Sequence, residues 1–129
     1  MFYTLLVLLA IALLSVLLIL SNPLRKPVED IRETVLKSIP IGMDMDEVLN
    51  IIENNKKWKI SHTNHKYGYG IDKNGRPGEN NDVHVGEKSI RANIGSYRNI
   101  FITDVIIYFG FDENSKLIDI AVRKDTDSL

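Results

Sequence analysis

The stretch that decides the fold is residues 100–123, which reads IFITDVIIYFGF-DENS-KLIDIAVR. Its outer parts are rich in β-branched and aromatic residues, which favour strands. The four residues DENS between them are typical of a tight turn. The pattern therefore predicts a β-hairpin with strands at 100–111 and 116–123. In the second strand, the alternation predicts that every other residue faces the core, namely Ile118, Ile120 and Val122.

Three further segments upstream of the hairpin alternate polar and apolar residues with a period of two. They lie at residues 58–62, 67–71 and 90–94. Between the second and the third, residues 72–82 consist largely of Asp, Asn, Gly and Pro, and this composition predicts an exposed loop. Together with the hairpin, these segments predict four to five antiparallel strands.

Two amphipathic helices are predicted before the strands. Pro27 suits the first position of a helix, because its missing N–H needs no partner there. A second helix is predicted with Asp44 as its N-cap and Glu47 as the capping-box partner, and Met43 and Val48 are placed as a hydrophobic staple. Helices followed by strands, without βαβ alternation, predict an α+β fold in which two helices pack on one face of the antiparallel sheet.

The N-terminal residues 1–20 contain no charged residue, no proline and no glycine. A helix of this length measures roughly 30 Å, close to the hydrocarbon thickness of a bilayer. The run is longer than the apolar part of a cleaved signal peptide and lacks its basic start. Residues 1–21 are therefore predicted to be an uncleaved transmembrane helix, residues 22–26 a linker and residues 27–129 the folded domain. The protein is then a single-pass cell membrane protein that contacts the lipid bilayer through residues 1–20.

The side of the membrane on which this domain lies is left open by the charges. The basic residues near the apolar run all follow it, and the positive-inside tendency then favours the cytoplasm. These residues are Arg25, Lys26, Arg32 and Lys37. The family resemblance described below favours the extracytoplasmic face instead.

The composition argues against several classes of function. Sixteen basic and seventeen acidic residues give a formal net charge of −1, which provides no general attraction to nucleic acid. The chain has no cysteine, so disulfides, thiolate catalysis and lipid attachment through an N-terminal cysteine are excluded. We expect no cofactor and no small-molecule substrate.

The histidines do not predict a metal site. His62 and His65 form an H-x-x-H motif, to which His84 could contribute a third ligand. On a strand, however, a separation of three residues places side chains on opposite faces. The glycines around Tyr69 are not followed by the Lys-Ser/Thr pair of a phosphate-binding loop. They indicate an irregularity in a strand instead. We therefore expect a protein without a metal and without catalytic residues.

One helix start carries a family resemblance. The segment IPIGMDMDEVL at residues 39–49 resembles the signature of the SmpA/OmlA family, the small subunit of the outer-membrane assembly machinery, and FGFD at 109–112 is similar to its late strand. The resemblance covers residues 39–124 and assigns Gly42 and Met43 structural positions. It implies a small extracytoplasmic, membrane-tethered, non-catalytic module that binds other proteins. Residues 110–120 also resemble the ending of uncharacterised membrane-anchored bacterial proteins.

Five residues are candidates for contact with a protein partner: Trp58, Tyr67, Tyr69, Tyr97 and Arg98. These residue types are enriched at interfaces, and a sheet with helices on one face leaves its other face open. Core packing explains the same residues equally well. The sequence thus predicts a membrane-anchored, non-catalytic adaptor domain of the bacterial envelope. The alternative is an inhibitor or immunity-type protein that neutralises a toxin or an enzyme.

Overall fold

The computed structural model describes residues 1–20, 22–78 and 83–127, and it places side chains in 1–17, 22–78 and 83–127. Within these ranges the chain forms three helices, a short 3₁₀ turn and seven strands. The helices are α1 (Phe2–Leu20), α2 (Val28–Ser38) and α3 (Met45–Asn54), and the 3₁₀ turn is Pro23–Arg25. The strands are β1 (Lys59–Asn64), β2 (Tyr69–Ile71), β3 (Pro77–Gly78), β4 (Val83–Val85), β5 (Lys88–Arg98), β6 (Ile102–Phe111) and β7 (Leu117–Thr126).

The main sheet has four antiparallel strands in the order β1-β5-β6-β7. The predicted hairpin is present as β6 and β7. In its turn, the Asp112 carboxylate accepts hydrogen bonds from the backbone N–H groups of Asn114 and Lys116, each at 2.9 Å. Ser115 closes the turn with a φ of 63°. The polar tetrapeptide therefore ends one strand and starts the next, as its residue types indicate.

The main core lies between α2, α3 and one face of this sheet. The largest fully buried side chains of the core come from the C-cap of α2, from α3 and from strands β5, β6 and β7. Among them are Ile39, Ile52, Ile90, Ile107, Phe109 and Leu117. The prediction of an α+β fold with two helices on one face of an antiparallel sheet is confirmed.

The predicted position of Ile118 in the core is wrong. Ile118 is 42 % exposed, whereas its neighbour Leu117 is 1 % exposed. The register shifts here, since Phe111 pairs with Leu117 while Gly110 pairs with Asp119, and Ile118 is the extra residue. Such a bulge reverses the facing of the side chains, and strict alternation along the sequence does not reveal it.

The reverse face of the main sheet was expected to be open, but the structure shows that it is partly covered. Strands β2, β3 and β4 form a separate three-stranded sheet in the order β3-β2-β4, and this small sheet packs on the reverse face through Tyr69, Ile106 and Tyr108. The segment predicted as a strand at 67–71 thus belongs to the small sheet. Part of the expected exposed loop is also strand, because Pro77 and Gly78 are buried in β3. Residues 79–82 lie outside the described part of the chain.

The start of α3 differs from the predicted capping box. Asp44 occupies the N-cap position, but its side chain makes no capping hydrogen bond. Its carboxylate lies 2.8 Å from the Lys116 ammonium instead. The backbone joins the same turn, since the Gly42 N–H donates to the Leu117 carbonyl at 2.8 Å and the Leu117 N–H donates to Met43 at 2.9 Å. The Asp44 carboxylate therefore forms an ion pair with Lys116 of the neighbouring hairpin instead of capping α3.

The N-terminal helix requires a correction of the predicted localisation. In the part of the chain that the structure describes, no helix combines the length and the apolar character needed to cross a membrane. The prediction of a single-pass cell membrane protein with a transmembrane helix is therefore wrong on this finding.

Candidate functional site

A groove of about 600 Å³ lies where the small sheet meets β1 and β5 of the main sheet. Its size is within the range of pockets that hold ligands. Aromatic and basic side chains dominate its polar lining: His62, Tyr67, Tyr69, His84, Arg91 and Tyr108. Two of the predicted partner-binding residues, Tyr67 and Tyr69, therefore lie in one groove.

The rim of the groove carries Tyr67, whose side chain is 60 % exposed. Its backbone is nevertheless fixed from two directions. The Asn64 side-chain oxygen accepts a hydrogen bond from the Tyr67 N–H at 3.0 Å, and the Ser89 hydroxyl donates to the Tyr67 carbonyl at 3.0 Å. The Tyr67 ring also lies against His84, with 5.8 Å between ring centroids. The rim thus presents an aromatic side chain on an ordered backbone.

The floor of the groove is formed by Tyr69 and Tyr108, which are 5 % and 3 % exposed. Their ring centroids are 5.9 Å apart, and the Arg91 guanidinium lies 5.6 Å from the centre of the Tyr108 ring. Burial raises the pKa of Tyr69 well above its usual range, and the nearby Asp119 carboxylate adds to this rise while Arg32 opposes it. Tyr69 is therefore a neutral hydroxyl at physiological pH.

Two glycines make close contacts possible, one within the small sheet and one between the two sheets. A Cβ atom on Gly68, just before β2, would lie 1.9 Å from the carbonyl oxygen of Val85 on the neighbouring strand β4. A Cβ on Gly110 of β6 would lie 2.8 Å from the same oxygen and 3.0 Å from the Tyr69 ring. A larger residue at Gly68 disturbs the small sheet itself, and one at Gly110 pushes the small sheet away from the main sheet, so both glycines are required by contact rather than by a turn.

A second cavity of about 420 Å³ borders Tyr69 on the side of β7 and α2. Two of its arginines form ion pairs. The Arg32 guanidinium lies 2.7 Å from the Asp119 carboxylate and donates to the Ile120 carbonyl at 3.0 Å. The hydrogen bond to Asp119 is the main cause of a raised pKa of Arg32. Arg123 pairs with Asp125 at 2.7 Å.

The predicted residues Tyr97 and Arg98 lie elsewhere, at the end of β5 next to the segment that follows α1. Cations from two segments lie against the Tyr97 ring, Arg25 at 5.0 Å and Lys124 at 5.1 Å from its centre. Arg25 also donates to the Arg98 carbonyl at 2.8 Å and to the Asn99 side chain at 2.5 Å. Tyr97 therefore holds residues of its own chain together.

Trp58 lies apart from both sites, on the helix side of the main sheet, where it is half-buried and packs against the main core.

The sequence analysis did not identify Arg91 and Tyr108 as residues of the groove. The alternation of β5 could have indicated Arg91, which stands between the buried Ile90 and Ala92. This alternation predicts that Arg91 lies on the face of the main sheet opposite the main core. It does not reveal that a second sheet completes a groove on that face.

The histidines at the groove do not come together as a metal centre. His62 and His84 both line the groove. Among the described residues, however, no group of three or more metal-binding side chains is placed to hold an ion.

Comparisons of the chain with protein-family models, with curated proteins and with solved structures found no match. The SmpA/OmlA resemblance stays a prediction. We therefore infer the function from the groove and its side chains.

Proposed function

We propose that the α+β domain is a non-catalytic protein-binding module, an adaptor of the bacterial envelope, and that the groove between its two sheets holds the partner. The observation that carries this proposal is Tyr67, an aromatic side chain 60 % exposed on a backbone held by Asn64 and Ser89. A large exposed aromatic ring with an ordered backbone loses little conformational freedom on binding, so more of its contact energy is retained.

The composition of the groove supports a protein as the partner. Tyrosine and arginine are the residue types enriched at protein interfaces and among their energetically dominant contacts. Here Tyr67 and Arg91 line one groove, whose floor is formed by the buried rings of Tyr69 and Tyr108. Tyr97 and Trp58, by contrast, are already engaged within the chain, and we no longer assign them to partner contact.

The test is capture of partners from envelope extracts by the full chain, with matched variants. Tyr67→Ala removes the rim aromatic, and Ile100→Ala removes an apolar side chain that is 82 % exposed elsewhere. We expect the first variant to lose the captured protein and the second to retain it, with both melting within about 2 °C of the parent because surface changes cost little stability. Equal capture by both variants would contradict the assignment to the groove.

We also propose that α1 contacts lipid through its surface. Its described side chains are exposed and, apart from Thr4 and Ser15, largely apolar, among them Phe2 at 72 %, Leu5 at 70 % and Leu17 at 62 %. Apolar surface gains about 25 cal/mol for each Å² removed from water. In a flotation assay with phosphatidylcholine vesicles, Leu5→Asp combined with Leu9→Asp is expected to reduce the floating fraction, whereas Ile100→Asp is not. Equal flotation of both variants would contradict lipid contact by α1.

A further inference from the structure

We infer that the turn between β5 and β6, residues 98–102, inserts into the surface of the same lipid bilayer that α1 contacts. Residues 98–102 are called the β5–β6 tip below. This inference rests on the proposed lipid contact of α1 and extends it from the helix to the folded domain. Three observations carry it: a run of exposed apolar side chains, the bonds that hold the tip beside the segment after α1, and cations around the tip whose partners are neutral.

The β5–β6 tip exposes three consecutive apolar side chains. Ile100 is 82 % exposed, Phe101 40 % and Ile102 46 %. In the rest of the described chain outside α1, large apolar side chains that are exposed occur one at a time along the sequence. Single exposed apolar residues are ordinary on a protein surface, whereas a contiguous apolar patch marks a site of contact with a protein or a membrane.

The tip is held next to the point at which α1 enters the domain. The Arg25 guanidinium donates to the Arg98 carbonyl at 2.8 Å and to the Asn99 side chain at 2.5 Å. Leu24 lies against Gly95, where an added Cβ would be 2.9 Å from the Leu24 side chain. Because α1 ends four residues before Leu24, at most about 14 Å of extended chain separates the two. A lipid surface that receives the end of α1 is therefore within reach of the tip.

The cations around the tip are bound by neutral groups. Arg25 and Lys124 lie over the Tyr97 ring, and the Lys124 ammonium donates to the Lys26 carbonyl at 2.6 Å. The side chains of Lys26 and Arg98 are exposed. Within the described residues, none of these four cations forms an ion pair with a carboxylate. Their charges can therefore meet the phosphate groups of lipids without displacing an internal partner.

Acidic side chains are also present at this end of the sheet. Asp104 and Asp125 are register partners on the reverse face, and Asp125 pairs with Arg123 at 2.7 Å. Asp127 follows β7, where its N–H donates to the Ile102 carbonyl at 3.0 Å. Because the charges at this end are mixed, the apolar tip supplies the affinity for lipid. The cations orient the tip, since long basic side chains hold their charges among the headgroups while their stems lie along apolar groups.

The bilayer is favoured as the occupant because of α1. The described side chains of α1 are exposed and largely apolar, and the apolar tip continues this surface a few residues further along the chain. Apolar side chains of surface-bound segments reach about 5 to 10 Å into the boundary between headgroups and acyl chains. A short turn of three apolar residues flanked by basic side chains fits this shallow layer.

The test is local, because α1 exposes far more apolar surface than the tip and keeps the chain on the vesicle when the tip is altered. The chain contains no cysteine, so one introduced cysteine can be labelled with the environment-sensitive dye NBD. Ile100→Cys places the dye at the tip, and Glu113→Cys places it at the exposed turn between β6 and β7, at the opposite end of the main sheet. With phosphatidylcholine vesicles, we expect a blue shift of the emission at position 100 and none at position 113. Doxyl groups on the lipid chains are expected to quench position 100 more strongly.

A charge reversal tests the role of the cations. In the labelled Ile100→Cys chain, Arg98→Glu is expected to reduce the blue shift, because it replaces a cation beside the lipid phosphates by a carboxylate. Lys66→Glu is the matched control: this exposed lysine follows the end of β1 that pairs with Ser89, away from the tip. It is expected to leave the shift unchanged. Equal shifts in the two variants would overturn the orienting role of the cations.

The outcomes separate this inference from the proposed function. A chain that floats with vesicles but shows no shift at position 100 overturns the inference and leaves lipid contact by α1 intact. Equal shifts at positions 100 and 113 also overturn it, because the domain then has no preferred end on the lipid. A shift at position 100 that grows with protein concentration in the absence of vesicles assigns the tip to a second copy of the chain. A chain that does not float removes both the lipid contact of α1 and the inference.

Discussion

The two faces of the four-stranded sheet are covered in different ways. On one face, α2 and α3 bury Ile107 and Phe109 completely. On the other, a three-stranded sheet covers Ile106 and Tyr108 but leaves a groove of about 600 Å³ beside them. The helices thus supply a closed core, whereas the small sheet supplies one wall of the open groove in which we propose that a partner binds.

The largest expected effect separates the two faces at neighbouring residues. Ile107→Ala empties the helix face, where the side chain is 0 % exposed, and is expected to lower the free energy of unfolding by about 4 kcal/mol. Ile106→Ala, on the reverse face at 6 % exposure, is expected to cost about 2 kcal/mol, because the smaller cluster beside the groove can relax. Urea unfolding measures both. A larger loss in Ile106→Ala would reverse the roles of the faces.

A glycine substitution tests whether the groove needs an intact small sheet. Gly68→Ala forces a methyl group against the Val85 carbonyl and is expected to cost about 3 kcal/mol and to abolish partner capture. Gly75→Ala is the control, because nothing lies within 4 Å of the added atom while its φ of 77° is strained; we expect about 1 kcal/mol and normal capture. Thermal melts and the capture assay report both. Normal capture by Gly68→Ala would show that the groove does not need the small sheet.

Alkaline pH is expected to weaken the reverse face through Tyr69. Its folded pKa is raised by burial above the ordinary value of 10.0, so the unfolded chain loses this proton first. The contribution of Tyr69 to the free energy of unfolding is constant below pH 10. Above pH 10 it falls, by at most about 1.4 kcal/mol per pH unit. Tyr69→Phe is expected to remove this part of the slope in urea titrations between pH 9 and 11. Tyr67→Phe, on the exposed rim, is the control, and an equal flattening in that variant would contradict the assignment to Tyr69.

The smallest effect concerns the ion pair at the neighbouring cavity. The Arg32 and Asp119 side chains are 34 % and 45 % exposed, so solvent screens their attraction. Asp119→Asn is expected to cost only about 0.5 kcal/mol, and less at high salt. It is also expected to leave partner capture unchanged. Loss of capture in this variant, with the free energy of unfolding nearly unchanged, would show that the partner contacts the neighbouring cavity.

The sequence predicts the helix-covered face well because periodicity reports burial. The apolar spacing of α2 and α3 and the hairpin of β6 and β7 all follow from side-chain patterns that the core enforces. The predicted burial of Ile118 is wrong because a bulge shifts the register of β7. The predicted capping bond of Asp44 is absent, and its carboxylate pairs instead with Lys116, which is distant in sequence. Both depend on contacts that a local pattern does not contain.

The reverse face is harder to predict for a related reason. Strands β2 and β3 have only three and two residues, so the alternation at 67–71 predicts a strand but not the sheet to which it belongs. The position of the small sheet depends on the close contacts of Gly68 within it and of Gly110 with it. In the sequence, the glycines around Tyr69 indicate only irregularity. Tyr67 and Tyr69 were identified from their residue types, whereas Arg91 joins them only once the small sheet has folded back.

The most direct test of the central claim, that the groove on the reverse face is the binding surface, is site-specific photocrosslinking in the full chain. A benzophenone amino acid replaces Tyr67 in one sample and Ile100, exposed away from the groove, in another. The account predicts a defined crosslinked protein at position 67 and none at position 100. Crosslinking at position 100 with none at position 67 would contradict it.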